Sequence, residues 1–148
     1  VRGVGRAVAG RARWNGVYGY LNDDDSHTSL TVQIENAAGV AAAEEIAAVD
    51  GVDAVFVGPS DLAASMGQLG QQTHPDVLAA VARVFAAVKD AGKPVGVNAF
   101  DPVAAESYIE HGADFVAVGA DVALLARASE ALAARFIPAA DEAERASY

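Results

Sequence analysis

The side chains best placed to do chemistry stand where apolar, β-branched runs give way to polar residues. Glu35 closes VQIE, Ser60 and Asp61 follow VFVGP, Asn98 closes VGVN, and Asp121 follows FVAVGA. Side chains alternate sides along a strand, so Gln33 and Glu35 are expected to project the same way. Asp61 lies four residues past Val57, across a Gly-Pro turn that redirects the chain over the strand ends. Neighbouring parallel strands run about 4.8 Å apart, so carboxylates at adjacent strand ends can share one ligand. A hard divalent cation suits them: Mg²⁺ or Mn²⁺ takes oxygen donors and is held by one or two carboxylates, with water and substrate completing the shell. Glu35 and Asp61 meet that description. The same residues also suit structural roles, because a glutamate ending a strand can form a salt bridge and Asp61 can be the N-cap of a short helix, LAASM. Cap and ligand roles are compatible, since the backbone N–H groups of Ser60 and Asp61 can receive a substrate carboxylate while the Asp61 side chain holds the ion.

Other chemistries are disfavoured by the residues themselves. The 148-residue chain has no cysteine, which excludes disulfides, zinc-thiolate and cysteine-held iron-sulfur sites, and a thiol nucleophile. Imine catalysis needs a lysine in the site, yet Lys89 falls on a helix and Lys93 precedes its strand, at the opposite rim. His74 and His111 are expected at helix ends, capping or facing solvent, and His27 follows DDDS without an obvious partner. The Gly3–Gly5 GxG follows no strand and carries no weight as a dinucleotide loop. GADFVAVGAD has the look of a strand feeding a phosphate-binding helix, but Asp121 puts negative charge where the phosphate would sit. Ten basic against twenty acidic residues give a net charge of -10, which repels nucleic acid over most of the surface. Arg2, Arg6, Arg11 and Arg13 all precede the first acidic residue, Asp23, and read as a solvated basic arm rather than an anion site. No apolar run approaches the roughly 18 residues of a membrane span, and the opening residues lack a signal-peptide core, so a cytoplasmic protein is expected.

Four alternations of strand and helix are needed to position these groups. Strands are expected at 30–34, 53–57, 95–99 and 115–118, and helices at 39–49, 75–90, about 102–111 and about 122–136. Val77, Val81, Val84, Phe85 and Val88 fall at helical spacing in the second helix, which opens on Pro75 and stops at Gly92. Val40, Ile46 and Val49 offer a face on the first, and Leu124, Leu125, Leu132 and Phe136 form a stripe on the last. Strands apolar at nearly every position are covered on both faces, as parallel sheets are, so the class is α/β. An open doubly wound sheet and a closed (β/α)₈ barrel compete, and four βα units are half of the second. The expected organisation is a loop or arm over 1–29, four βα units over 30–137 and an acidic tail over 138–148. The opening at Val1 without a methionine fits a chain whose amino-terminal half is missing.

The segments VQIENAAGVAAAEEIAAVDGVDAVFVGPSDLAASMGQLGQQTHPDV, AGKPVGVNAFD and HGADFVAVGADVALLAR resemble the HpcH/HpaI aldolases, metal-dependent pyruvate aldolases of the phosphoenolpyruvate/pyruvate barrel superfamily. QIE and GPSDLAASMG together carry the resemblance, which extends to RGVGRAVAGRARW and the Tyr20-Leu21 pair. It implies the carboxyl-terminal half of a (β/α)₈ TIM barrel in which Glu35 and Asp61 bind Mg²⁺, Mn²⁺ or Co²⁺. Gln33 matches a substrate-contacting glutamine. Ser60 stands where alanine is usual, beside amides that meet the pyruvate carboxylate. Asn98 falls at a strand end where relatives often carry an apolar substrate contact. The implied reaction joins pyruvate to an aldehyde, or cleaves a 4-hydroxy-2-oxo acid into them, through a pyruvate enolate. The family's base histidine and enolate-stabilising arginine lie on earlier strands, so no residue here takes those roles and the isolated segment is expected to be nearly inactive. The resemblance also implies a dimer-based hexamer in which the last helix packs on a neighbouring subunit. Alternatives are a citrate lyase β-like enzyme acting on a CoA thioester, and a non-catalytic half-barrel acting through association.

Overall fold

A computed structural model describes residues 28–137. The basic arm, His27, the Tyr20-Leu21 pair and the acidic tail lie outside the described residues. The elements are β1 (Thr31–Ile34), α1 (Ala37–Ala41), α2 (Ala43–Ala48), β2 (Ala54–Val57), α3 (Pro59–Ser65), α4 (Pro75–Asp90), β3 (Val95–Asn98), α5 (Pro102–Glu110), β4 (Phe115–Ala117) and α6 (Asp121–Ala133). The strands pair in parallel in the order β1-β2-β3-β4.

That order separates the two α/β architectures. A doubly wound sheet reverses direction at a switch point, whereas here each strand is added beside the last in one direction. Right-handed crossovers then place every helix on the same face, which is how a (β/α)₈ barrel is laid down. Four such units form an arc of it.

The covered face holds the core. Ile34, Val55, Val57, Val95 and Val97 are fully buried against the helices, and α4 supplies Val77, Val81, Val84, Phe85 and Val88 at the spacing read from the sequence. Valine suits both sides of this contact, since its branched side chain packs well on a pleated surface. His74 caps α4, its Nδ1 accepting the Asp76 N–H at 3.2 Å, and Pro75 opens the helix. Gly92, at φ 71°, lies in the left-handed region just past the helix end, where a side chain would be strained.

The other face of the sheet is open. Register aligns Gln33, Phe56, Gly96 and Phe115 across all four strands. Phe115 lies over Gly96 and stacks on Phe56, with ring centroids 5.9 Å apart and planes 23° from parallel. A Cβ built on Gly96 would come within 2.2 Å of the Phe115 ring, so glycine is what lets the ring lie flat there.

Three expectations are corrected. The helix expected over 39–49 starts two residues earlier, with the Asn36 side chain capping Gly39 N–H at 2.8 Å, and breaks at Ala42 into α1 and α2. Gly39 and the surrounding alanines do little to hold one straight axis. The inward face becomes Val40, Ala43 and Ala47, while Val49 is turned out to solvent. The helix around LAASM starts at Pro59 with Gly58 as N-cap, so Asp61 belongs to its first turn and caps nothing. Proline's fixed φ suits the first helical position and moves the start back three residues. Finally, α6 ends at Ala133 and buries no side chain; Leu124, Leu125, Leu132 and Phe136 are all exposed. Among the described residues the sheet stops at β4, and no further strand lies beside it for this stripe to cover. Among the described residues no helix is long and apolar enough to cross a membrane.

Candidate active site

Glu35 leaves β1 one residue after Ile34, whose carbonyl accepts the Gly58 N–H at 3.1 Å. This carries the β1–β2 register one step beyond the ladder, so Glu35 and Gly58 meet side by side at the carboxyl rim. Gln33 and Glu35 share a side as expected, and the Gln33 Nε2 donates to Glu35 Oε2 at 2.7 Å. The amide fixes one carboxylate oxygen and leaves the other free to accept a second partner.

Gly58 holds the turn against this pair. A Cβ there would lie 2.9 Å from Gln33 Nε2 and 3.3 Å from Glu35 Oε2. Its φ of -104° is open to any residue, so glycine is needed for close approach rather than for backbone freedom. Three residues on, Asp61 stands exposed in the first turn of α3. Pro59 has no N–H, and glycine offers no side-chain cap, so the Ser60 and Asp61 amides open the helix without an acceptor among the described residues.

The donor chemistry fits a hard cation. Glu35 is an oxygen donor already oriented by an amide, in a niche that a single methyl group would fill, and Asp61 is carried by the turn that forms the niche. No group of three or more His, Cys, Asp or Glu converges among the described residues, so a carboxylate pair is the most this segment brings to an ion. That is the usual protein share of a magnesium shell.

Ser60 and Asn98 meet in a cavity of about 190 Å³ between the ends of β2 and β3 and the start of α5. Asn98, half-buried, ends β3; Gln72 and Thr73 close the cavity from the loop before α4, and Asp101, Ala104 and Tyr108 from α5. Burial pushes the Tyr108 phenol above its usual value, so it stays protonated and can donate. Sequence reading missed Gly58, Gln72, Thr73 and Tyr108. A glycine directly after a strand, opposite a polar strand end, was a usable signal for the first; the other three come from loop and helix positions that no local pattern marks.

The remaining candidates sit elsewhere. Asp121 accepts its neighbour's amide, Val122 N–H, at 2.7 Å. His111 ends α5 with Nδ1 2.6 Å from the Ser107 carbonyl. Lys93 donates to the Val49 carbonyl at 2.7 Å, and Lys89 pairs with Asp114 at 2.6 Å beside the start of β3. Both lysines serve the amino rim, as the position of Lys93 before its strand implied.

A consecutive parallel βα arc with acid and amide groups on its carboxyl rim has the architecture of part of a TIM barrel. The model of the HpcH/HpaI aldolase/citrate lyase family matches residues 3–128, and the chain belongs to that family. A hydroxypyruvate/pyruvate aldolase of Pseudomonas aeruginosa is 48% identical over 136 residues, 92% of this chain and 51% of that protein. A 4-hydroxy-2-oxo-heptane-1,7-dioate aldolase of Shigella sonnei is 46% identical over 92% of this chain and 52% of its own length. The crystal structure of an HpcH/HpaI aldolase/citrate lyase family protein from Burkholderia cenocepacia J2315 is 45% identical, with a TM-score of 0.74 over 91% of this chain and 52% of that one. The chain thus spans about half the length of the curated relatives it matches.

Proposed function

We propose that this chain is the carboxyl-terminal half of a divalent-metal pyruvate aldolase barrel, with the amino-terminal half supplied by polypeptide upstream of Val1. The observation that carries the reading is the Gln33–Glu35 hydrogen bond held against Gly58, one turn from Asp61. Glu35 and Asp61 would hold Mg²⁺, Mn²⁺ or Co²⁺, which when bound supplies a Lewis acid that polarises the ketone of a 2-oxo acid. Gln33 orients Glu35 and faces the substrate. The Ser60 and Asp61 amides receive the substrate carboxylate, because donors at the start of a helix favour an anion. In the forward direction a pyruvate methyl proton is removed, C3 bonds to the aldehyde carbon, and the aldehyde oxygen gains a proton to give a 4-hydroxy-2-oxo acid. Cleavage is the reverse. The base and the positive group that steadies the enolate belong to the upstream half.

Names of the relatives favour the aldolase over a CoA-thioester lyase, and the described residues form no basic surface for CoA. The complete enzyme would act on small-molecule keto acid and aldehyde rather than on nucleic acid or membranes, work in the cytoplasm, and assemble as a dimer-based hexamer. The bare stripe of α6 suits such packing. Calorimetric titration of Mn²⁺ into wild type and Glu35→Ala tests the core of this. One site should vanish in the variant; identical isotherms would leave a purely associative half-barrel.

A further inference from the structure

The open face carries a row of side chains one layer below the carboxylate rim. Register sets Gln33, Phe56, Gly96 and Phe115 side by side. Glu35, Gly58 and Asn98 follow the first three two residues on, on the same face and about 6.6 Å higher at the usual strand rise. The row is locked from one end. Gly96 puts no side chain in the way, so the Phe115 ring lies across β3 and stacks on Phe56, with centroids 5.9 Å apart. Phe56, half-buried, is thereby backed from the β4 side, and Gln33 stands on its other side, one strand spacing of about 4.8 Å away. A glutamine on an open strand has several staggered rotamers to choose from. The one present climbs from the level of Phe56 to that of Gly58: Nε2 lies 2.9 Å from where a Gly58 Cβ would be and donates to Glu35 Oε2 at 2.7 Å. Laid level toward β2, the carboxamide would instead press its polar end on the Phe56 ring, which offers it no oxygen.

We infer that Phe56 is a positioning residue for the carboxylate site: backed by Phe115 across Gly96, its ring keeps the Gln33 carboxamide raised on Glu35, so that one Glu35 oxygen stays occupied and the other stays presented to an ion. The inference rests on the reading of Glu35 as a metal ligand, and the ring acts only through Gln33. A ring that merely packed would stabilise the sheet and leave the affinity for an ion alone.

Two readouts on the whole 148-residue chain test this. One is Mn²⁺ affinity, followed by the relaxation of water protons. The other needs no metal: the Gln33 side-chain NH₂ signals in ¹⁵N–¹H NMR, identified by their loss in Gln33→Leu. Phe56→Leu keeps an apolar strand residue and removes the ring. It should move the NH₂ signals to the position of a solvated amide and weaken Mn²⁺ binding severalfold, without exceeding the roughly 10–100-fold cost of losing an outer partner such as Gln33 itself. In a Gln33→Leu background the same substitution should change the affinity by less than about twofold, because the intermediary is gone. Phe115→Leu, made at the exposed end of the row, should reproduce both changes at smaller amplitude, and it carries the test if Phe56→Leu does not fold. Unmoved NH₂ signals, an unmoved affinity, or an equal loss of affinity with and without Gln33 overturns the positioning role and leaves the metal reading standing. A wild type without a Mn²⁺ site overturns the metal reading, and this inference with it.

Discussion

The two rims of the sheet are built from similar residues to opposite ends. At the amino rim Asp53, Lys89, Lys93 and Asp114 are all spent on the protein. Asp114 takes both the Lys89 ammonium and the Val95 N–H, Asp53 accepts the Leu30 N–H at 2.6 Å, and Lys93 ties the end of α2 to the start of β3. At the carboxyl rim Asn36, Asp101 and Asp121 are spent on the helices that follow them, but among the described residues Asp61, Asn98, Thr73 and Tyr108 make no such bonds, and the Gln33–Glu35 pair leaves acceptor capacity over. Satisfied groups stabilise a fold, and unsatisfied ones keep affinity in reserve for a ligand. Burial does not tell the two rims of this sheet apart; unused hydrogen-bonding capacity does.

Substitutions at the two rims should therefore separate into losses of function and losses of stability. The largest effect is expected from Glu35→Ala, which removes a proposed ligand. Its cost in metal affinity and turnover in the complete barrel should exceed the roughly 10–100-fold typical of losing an outer partner. Gln33→Leu removes such a partner and should fall within that range, with thermal stability little changed; a loss of melting temperature in place of affinity would blur the contrast between the rims. Gly58→Ala should weaken Mn²⁺ binding about tenfold. Its cost in stability should be modest, because the nearest atom, Gln33 Nε2, ends a flexible side chain, whereas Glu35 Cβ at 3.2 Å has to give by only a few tenths of an ångström.

Gly96→Ala acts on the open face, where the added methyl meets the Phe115 ring at full overlap. A destabilisation of about 1–3 kcal/mol is expected in denaturant unfolding, relieved when Phe115→Ala is combined with it. The smallest effect belongs to the amino rim. Asp114→Asn should cost about 0.2–1 kcal/mol, the range of exposed ion pairs, and leave Mn²⁺ affinity intact. The Lys89 hydrogen bond and the Val95 N–H hold the Asp114 carboxyl below its ordinary range. A carboxyl depressed in the folded state adds stability that is fully present above its unfolded pKa of about 3.9 and fades as pH falls through the lower folded value. Acid titration of unfolding in wild type, but not in Asp114→Asn, should show that component.

How much was legible in the sequence differs from element to element. The face of α4 was readable in full, because an amphipathic helix writes its packing into a 3.6-residue period. α1 and α2 read as one helix, since a run of alanines and glycine carries almost no directional signal. The Gln33–Glu35 pairing followed from alternation alone. The role of Gly58 did not, because it depends on β1 and β2 lying in a particular register. Tyr108 stayed invisible as a site residue for a similar reason: it lies 48 residues beyond Ser60 and joins it only through the docking of α5.

The sequence by itself determined the α/β class, the alternation of strands with helices and the strand positions to within a residue, since local periodicity and turn chemistry act over a few residues and need no partner. Only the tertiary structure decided that the strands add in one direction, that Glu35 meets the Gly58 turn, and that Ser60, Asn98 and Tyr108 surround one cavity. Those outcomes depend on pairing between residues 19 to 48 positions apart, and nothing within a short window of chain specifies which distant segment will lie alongside.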